Sequence, residues 1–243
     1  MAEPKLNSKS VVCILKVLLC LSLLYSVIAD DKAYMLKLAK ALKPTPPAWS
    51  ASDFCEWGGV KCGTVNNSVR VVEIDLASMS LTGTLPPDLN SLSQLQFLSL
   101  SNNFLSGALP SLANLSKLEN VFLDANNFTS IPDGCFQGLT SLQTLNMNDN
   151  IHLSPWTIPT QLNQSPYLVT LDLRNANLVG TLPDAFDSFV SLQELRLFHN
   201  ILTGGLPESF AGSEIHVLWL DNQNNTFGFS GTIQVLSSMP YLS

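Results

Sequence analysis

"LQFLSLSNNFLSGALP", residues 95–110, is the stretch whose reading decides the fold. Leu98 and Leu100 alternate with Ser99. That alternation turns two apolar side chains to one face of a short strand and the serine to the other. Asn103 follows where the strand bends inward, and its amide can bond backbone groups that the bend leaves unpaired. Gly107 permits a tight turn and Pro110 ends the pairing. The frame L-x-x-L-x-L-x-x-N-x-L-x-G-x-L-P then returns. "LENVFLDANNFTSIP" (118–132) and "LQELRLFHNILTGGLP" (192–207) follow it closely. "VVEIDLASMSLTGTLP" (71–86) and "LVTLDLRNANLVGTLP" (168–183) keep its apolar positions. "LQTLNMNDN" (142–150) and "IHVLWLDNQ" (215–223) keep only the strand half. First positions fall at 71, 95, 118, 142, 168, 192 and 215, spaced by 24, 23, 24, 26, 24 and 23.

One such strand cannot bury its apolar face alone. Stacked copies bury a continuous core and join their strands edge to edge. A period in the twenties with this pattern is the leucine-rich repeat, so the expected architecture is an α/β solenoid. The template asparagine is present as Asn103, Asn126, Asn150 and Asn200. Met79, Ala176 and Gln223 replace it in three copies, so an incomplete ladder of buried amides is expected.

The chain is expected to divide into three parts. Residues 1–29 carry Lys5 and Lys9, an apolar run from Val11 and a small exit residue, Ala29. That order fits a secretory signal peptide. The run is long enough for a membrane anchor, but Lys16 interrupts it. Residues 30–67 are expected to cap the open core. "DDKAYMLKLAKAL" places Met35, Leu36, Leu38, Ala39 and Leu42 at helical spacing, and "KPTPP" stops the helix. Trp49 and Trp57 can cover the first coil. Residues 68–243 hold seven repeats and the start of an eighth at Leu242, with no C-terminal cap, so the chain is expected to continue beyond its last residue.

The 243-residue chain has a formal charge of −7. Lys5, Lys9, Lys16 and Glu3 give residues 1–29 a net +2, which leaves −9 (−7 − 2) on the remainder. An acidic chain of this kind argues against nucleic acid, whose phosphates need a basic face. Of five cysteines, Cys13 and Cys20 fall in the signal segment. Cys55 and Cys62, in "CEWGGVKC", have two glycines between them to turn the chain, and are expected to pair in an oxidising compartment. Cys135 is left over, as a small buried thiol. No second close Cys or His pair suggests a metal, and no cofactor fingerprint is present.

"W-S-x-x-x-x-C-E-W-G-G-V-K-C" resembles the N-terminal cap of plant leucine-rich-repeat receptor kinases. The L-x-G-x-L-P corner resembles the plant-type repeat, which implies a second small sheet and a right-handed superhelix. "SIPDGCFQGLTSLQTL" (130–145), "NIHLSPWTIP" (150–159) and "FAGSEIHVLWLDNQ" (210–223) resemble the transmembrane-kinase subfamily. The resemblance implies a cell-surface receptor with a membrane helix and a serine/threonine kinase domain beyond this chain, and a place in auxin signalling. Neither a phosphate loop nor a kinase catalytic loop is visible here.

The outward strand positions form columns across the repeats. The central column reads Asp75, Ser99, Phe122, Asn146, Asp172, Arg196, Trp219. Early repeats read as small and polar. Late repeats gather Arg174, Arg196, Phe198, His199 and Trp219, residue types that anchor interfaces. The expected partner is a protein, or a small ligand held with one, at the concave face, with a co-receptor as a further candidate. Five sequons, at Asn66, Asn114, Asn127, Asn163 and Asn224, avoid that face. His152, His199 and His216 lie in different repeats, and His199 and His216 have no nucleophile and orienting acid arranged with them, so the chain is not read as an enzyme. The alternative is a free secreted wall protein like the plant inhibitors of pectin-degrading enzymes. Those should show a C-terminal cysteine-bearing cap, which is not visible here.

Overall fold

The computed structural model describes residues 31–223 and 228–242. The expected signal peptide and the sequon at Asn224 lie outside them. One helix, α1 (Asp31–Ala41), opens the described chain. The strands follow as β1 (Val60–Val65), β2 (Ser68–Asp75), β3 (Thr82–Thr84), β4 (Phe97–Ser99), β5 (Phe104–Ala108), β6 (Asn120–Phe122) and β7 (Asn127–Ser130). Next come β8 (Thr144–Asn146), β9 (Thr170–Asp172), β10 (Val179–Thr181), β11 (Glu194–Arg196), β12 (Ile201–Thr203) and β13 (Val217–Trp219).

The main sheet has the order β1-β2-β4-β6-β8-β9-β11-β13. β1 is antiparallel to β2, and every later pairing is parallel. The register aligns Ile74, Leu98, Val121, Leu145, Leu171, Leu195 and Leu218 in one row. All but Leu218 are fully buried. The L-x-L alternation therefore places one continuous apolar ridge inside the coil.

The asparagine amides complete the interior. Asn103 accepts from the backbone N–H groups of Met79 (3.1 Å) and Leu81 (2.9 Å) and donates to the carbonyls of Leu76 (2.8 Å) and Leu100 (2.9 Å). Asn200 repeats the pattern with Ala176, Leu178, Leu173 and Leu197. The ladder extends further than the sequence suggests. Gln223 does the work of the missing asparagine, accepting from Leu202 N–H and donating to the carbonyls of Leu197 and Leu220. Its extra methylene still lets the amide reach the same backbone groups.

Two smaller parallel sheets form at the L-x-G-x-L-P corners, β3-β5-β7 and β10-β12. Gly107 shows why the corner needs glycine. Its φ is +80°, and a Cβ there would stand 2.7 Å from the Thr84 methyl. The run of corners breaks at residues 150–159, where Trp156 alone bridges to Leu178.

At the N-terminal end, α1 buries Asp31, Tyr34, Met35 and Leu38. Leu36, expected on that face, points outward and is 46% exposed, because it lies about 100° round the helix from Met35. Asp31 is 3% exposed and takes both Nε (3.0 Å) and Nη2 (2.8 Å) of Arg70, together with the Val71 N–H (2.7 Å). Trp49 and Trp57 stack with ring centroids 4.7 Å apart. Their indole N–H groups donate to the carbonyls of Gly58 and Ala51. Cys55 and Cys62 are bonded beside this pair. Replacing both by serine should lower stability by about 2 kcal/mol, since the bridge closes a short loop in the unfolded chain. Chemical denaturation of the secreted double variant checks this; an unchanged midpoint would mean that the tryptophan stack holds the cap unaided.

Cys135 is a free thiol, 1% exposed, with its Sγ 3.6 Å from the Pro110 carbonyl. Burial pushes its pKa up to about 12, so it has no reactive thiolate at neutral pH.

Candidate functional site

The register that builds the core also builds the concave face. Asp75, Ser99, Phe122, Asn146, Asp172, Arg196 and Trp219 stand side by side on successive strands. Arg174, Phe198 and His199 lie just beyond the strand ends of the same repeats. Of these residues, the late ones make one contiguous cluster. The Arg174 guanidinium lies 5.1 Å from the Phe198 ring centroid, and that of Arg196 lies 5.1 Å from Trp219. Phe198 and Trp219 are 5.8 Å apart, and the exposed His199 meets Phe198 edge-on at 5.1 Å. Trp219 remains 45% exposed.

Two acids sit inside the cluster. The Asp172 side chain is 5% exposed and lies 2.7 Å from Arg174 Nε and 3.9 Å from Arg196 Nη1. Glu194 pairs with Arg196 Nη2 at 2.7 Å. The charges of Arg174 and Arg196 are thus matched by Asp172 and Glu194. Two free guanidiniums ready to grip a carboxylate are not what the face presents. It presents a neutral platform on which the arginines are already clamped against aromatic rings, leaving Trp219 as its most open apolar surface.

Sequence reasoning missed Glu194 because a whole outward column was left out. That column reads Glu73, Phe97, Asn120, Thr144, Thr170, Glu194, Val217 across the strands. It also holds Phe97, whose ring lies 5.7 Å from that of Phe122. Early repeats are therefore not uniformly small and polar. The role of Asp172 was available from spacing alone. It stands two residues before Arg174 on one face and directly opposite Arg196 on the next strand.

Beside the cluster, Asn175, His199, Asn222 and Gln223 line a shallow recess of about 360 Å³. Among the described residues no group of three or more His, Cys, Asp or Glu side chains is placed to hold a metal. No helix among them is long and apolar enough to cross a membrane. The sequons at Asn66 and Asn114 fall in exposed turns, Asn127 lies in β7 of a small sheet, and Asn163 lies in a short 3-10 turn.

Comparison with known proteins bears on what such a face is for. The leucine rich repeat N-terminal domain matches residues 28–63. Leucine rich repeat models match residues 116–155 and residues 94–115, 167–189 and 191–213. Together these cover more than half of the chain. The chain belongs to the leucine-rich-repeat family.

Within that family it groups with plant transmembrane-kinase receptors. It is 44% identical over 217 residues to receptor-like kinase TMK4 of Arabidopsis thaliana, covering 89% of this chain and 23% of that protein. It is 37% identical over 232 residues to receptor-like kinase TMK2 of the same plant, covering 93% and 26%. The chain thus spans about a quarter of the length of the curated relatives it matches. Among solved structures, the Arabidopsis receptor kinase HAESA in complex with the peptide hormone IDA and the co-receptor SERK1 superposes with a TM-score of 0.70 at 30% identity. That match covers 88% of this chain and 36% of the other. The family models matched are the leucine rich repeat and its N-terminal domain, so this chain is a leucine-rich-repeat region and not a kinase domain. Its placement is extracellular, where a bond such as Cys55–Cys62 persists.

Proposed function

We propose that this chain is the extracellular recognition module of a plant receptor-like serine/threonine kinase, and that it engages its partner on the concave face of the late repeats. The observation that carries the location is the pre-clamped cluster of Arg174, Arg196, Phe198 and Trp219 around Asp172. Side chains already fixed in place lose little freedom on binding, so more of the contact energy appears as affinity. A neutral platform with an open indole takes an apolar or aromatic side chain of a protein partner, or a small ligand held with one. His199 and the recess beside it supply polar contacts at the rim. The HAESA complex, with its hormone and co-receptor, makes a third chain at the same ectodomain a reasonable component. The kinase output and its place in auxin signalling belong to this same reading, through the likeness to the transmembrane-kinase receptors.

The test is a binding assay between the ectodomain and its partner. Trp219→Ala and Arg196→Ala should each weaken binding by about 2 kcal/mol or more. Asn146→Ala, on the polar strand between the two aromatic groups, should change it by less than about 0.5 kcal/mol. If the two late substitutions leave affinity intact in folded protein, the cluster is a solvated surface.

A further inference from the structure

The break in the small sheets opens a second feature, on a different part of the coil from the concave cluster. Between residues 131–136 and 155–161 lies a cleft of about 430 Å³, lined by Trp156, Phe136, Asp133, Thr157 and Gln161 with Pro132, Pro155 and Pro159 as stiff walls. The volume falls in the range of small-molecule sites, about 300–1,000 Å³. The Trp156 ring is half-buried, and its orientation is set by a 2.6 Å bond from its indole N–H to the Ala176 carbonyl. Trp156 therefore presents fixed ring surface, and its polar atom is already spoken for.

The polar groups of the cleft are in the opposite condition. The side chains of Asp133, Thr157 and Gln161 are exposed and make no hydrogen bond or ion pair among the described residues. They offer a carboxylate that only accepts, a hydroxyl and an amide that both donate and accept. Among the described residues no lysine, arginine or histidine lines the cleft, and Asp133 is its sole charge. An anionic ligand would meet repulsion with nothing to offset it. A cation would need a desolvated aromatic cage, whereas Phe136 is 1% exposed and only Trp156 offers ring surface. An ion pair with an exposed carboxylate adds little.

We propose that this cleft binds a neutral pyranose sugar unit. Such a ring has an apolar C–H face that packs on a single fixed aromatic ring. Around its edge it carries hydroxyls, which match the free carboxylate, amide and hydroxyl. The inference does not depend on the concave cluster, and either can fail without the other.

The probe is cellotetraose, a neutral glucose oligomer, titrated into the full chain carrying Asn163→Gln, so that no glycan two residues from Gln161 competes. Binding is followed by calorimetry and by the Trp156 indole N–H resonance. The expected result is saturable binding in the millimolar range that shifts this resonance. The double variant Asp133→Ala/Gln161→Ala, which removes no hydrogen bond or ion pair among the described residues, should weaken it about tenfold. Trp156→Ala should abolish it, provided circular dichroism shows a folded chain. Tetragalacturonate should bind more weakly than cellotetraose. The proposal is overturned if cellotetraose does not bind, if the double variant binds as well as the parent, or if spermidine binds while the sugar does not.

Discussion

Arg70→Ala should destabilise the chain by about 3–5 kcal/mol, the range for breaking a buried ion pair by removing one partner. Asp31 is 3% exposed and has three bonds, of which two come from the guanidinium. Without Arg70 the carboxylate keeps, among the described residues, only the Val71 N–H. Asp31 sits in the first turn of α1, so the damage should start in the cap. Equilibrium denaturation gives the total, and hydrogen exchange across residues 31–41 gives its location. Replacing both members, as Asp31→Leu with Arg70→Met, should recover much of the loss, because an apolar pair leaves no unpaired charge. A loss below about 1 kcal/mol for Arg70→Ala would mean that water reaches Asp31 and that the pair behaves like a surface one.

Asn103→Ala should cost a similar amount, about 3–5 kcal/mol, for a different reason. The substitution leaves the Met79 and Leu81 N–H groups without an acceptor and takes the amide donor from the Leu76 carbonyl, while the Leu100 carbonyl keeps its bond from Asn126 Nδ2. Each buried group left unpaired costs about 1–3 kcal/mol, although relaxation will recover some of that. Asn103 is 5% exposed, so water cannot replace its amide without opening the coil. Lys117→Ala, an exposed change one strand away, should stay within about 0.5 kcal/mol. Thermal unfolding of the two variants side by side makes the comparison. Equal midpoints would show that the amide ladder is dispensable to the coil.

These two sites also show how far sequence reading reached. Asn103 was legible because its role is set by phase within the repeat, and phase is visible in a string of letters. The central column from Asp75 to Trp219 was legible for the same reason. The Asp31–Arg70 pair was not, because its members are 39 residues apart and belong to different kinds of structure. Gln223 was misjudged on residue type. Its amide does the work of an asparagine, and only the position of the backbone groups reveals that. At the concave face the repeat phase tells which residues face outward, but not every charge that meets them. The central column already sets Asp172 beside Arg196 and two residues before Arg174, whereas Glu194 stands in a column that was left out. The cleft at Trp156 was visible only as an irregular stretch, 150–159, since a gap in a sheet has no letter of its own.

The central claim is that recognition happens on the late concave strands. A photo-crosslinking side chain placed at Phe198, and in a second variant at Asn146 two strands earlier, tests it most directly in extracellular fluid from plant tissue. The account predicts a discrete adduct from position 198 that is lost when Trp219→Ala is added, with little or none from position 146. Equal adducts from the two positions, or an adduct at 198 that ignores Trp219→Ala, would contradict it.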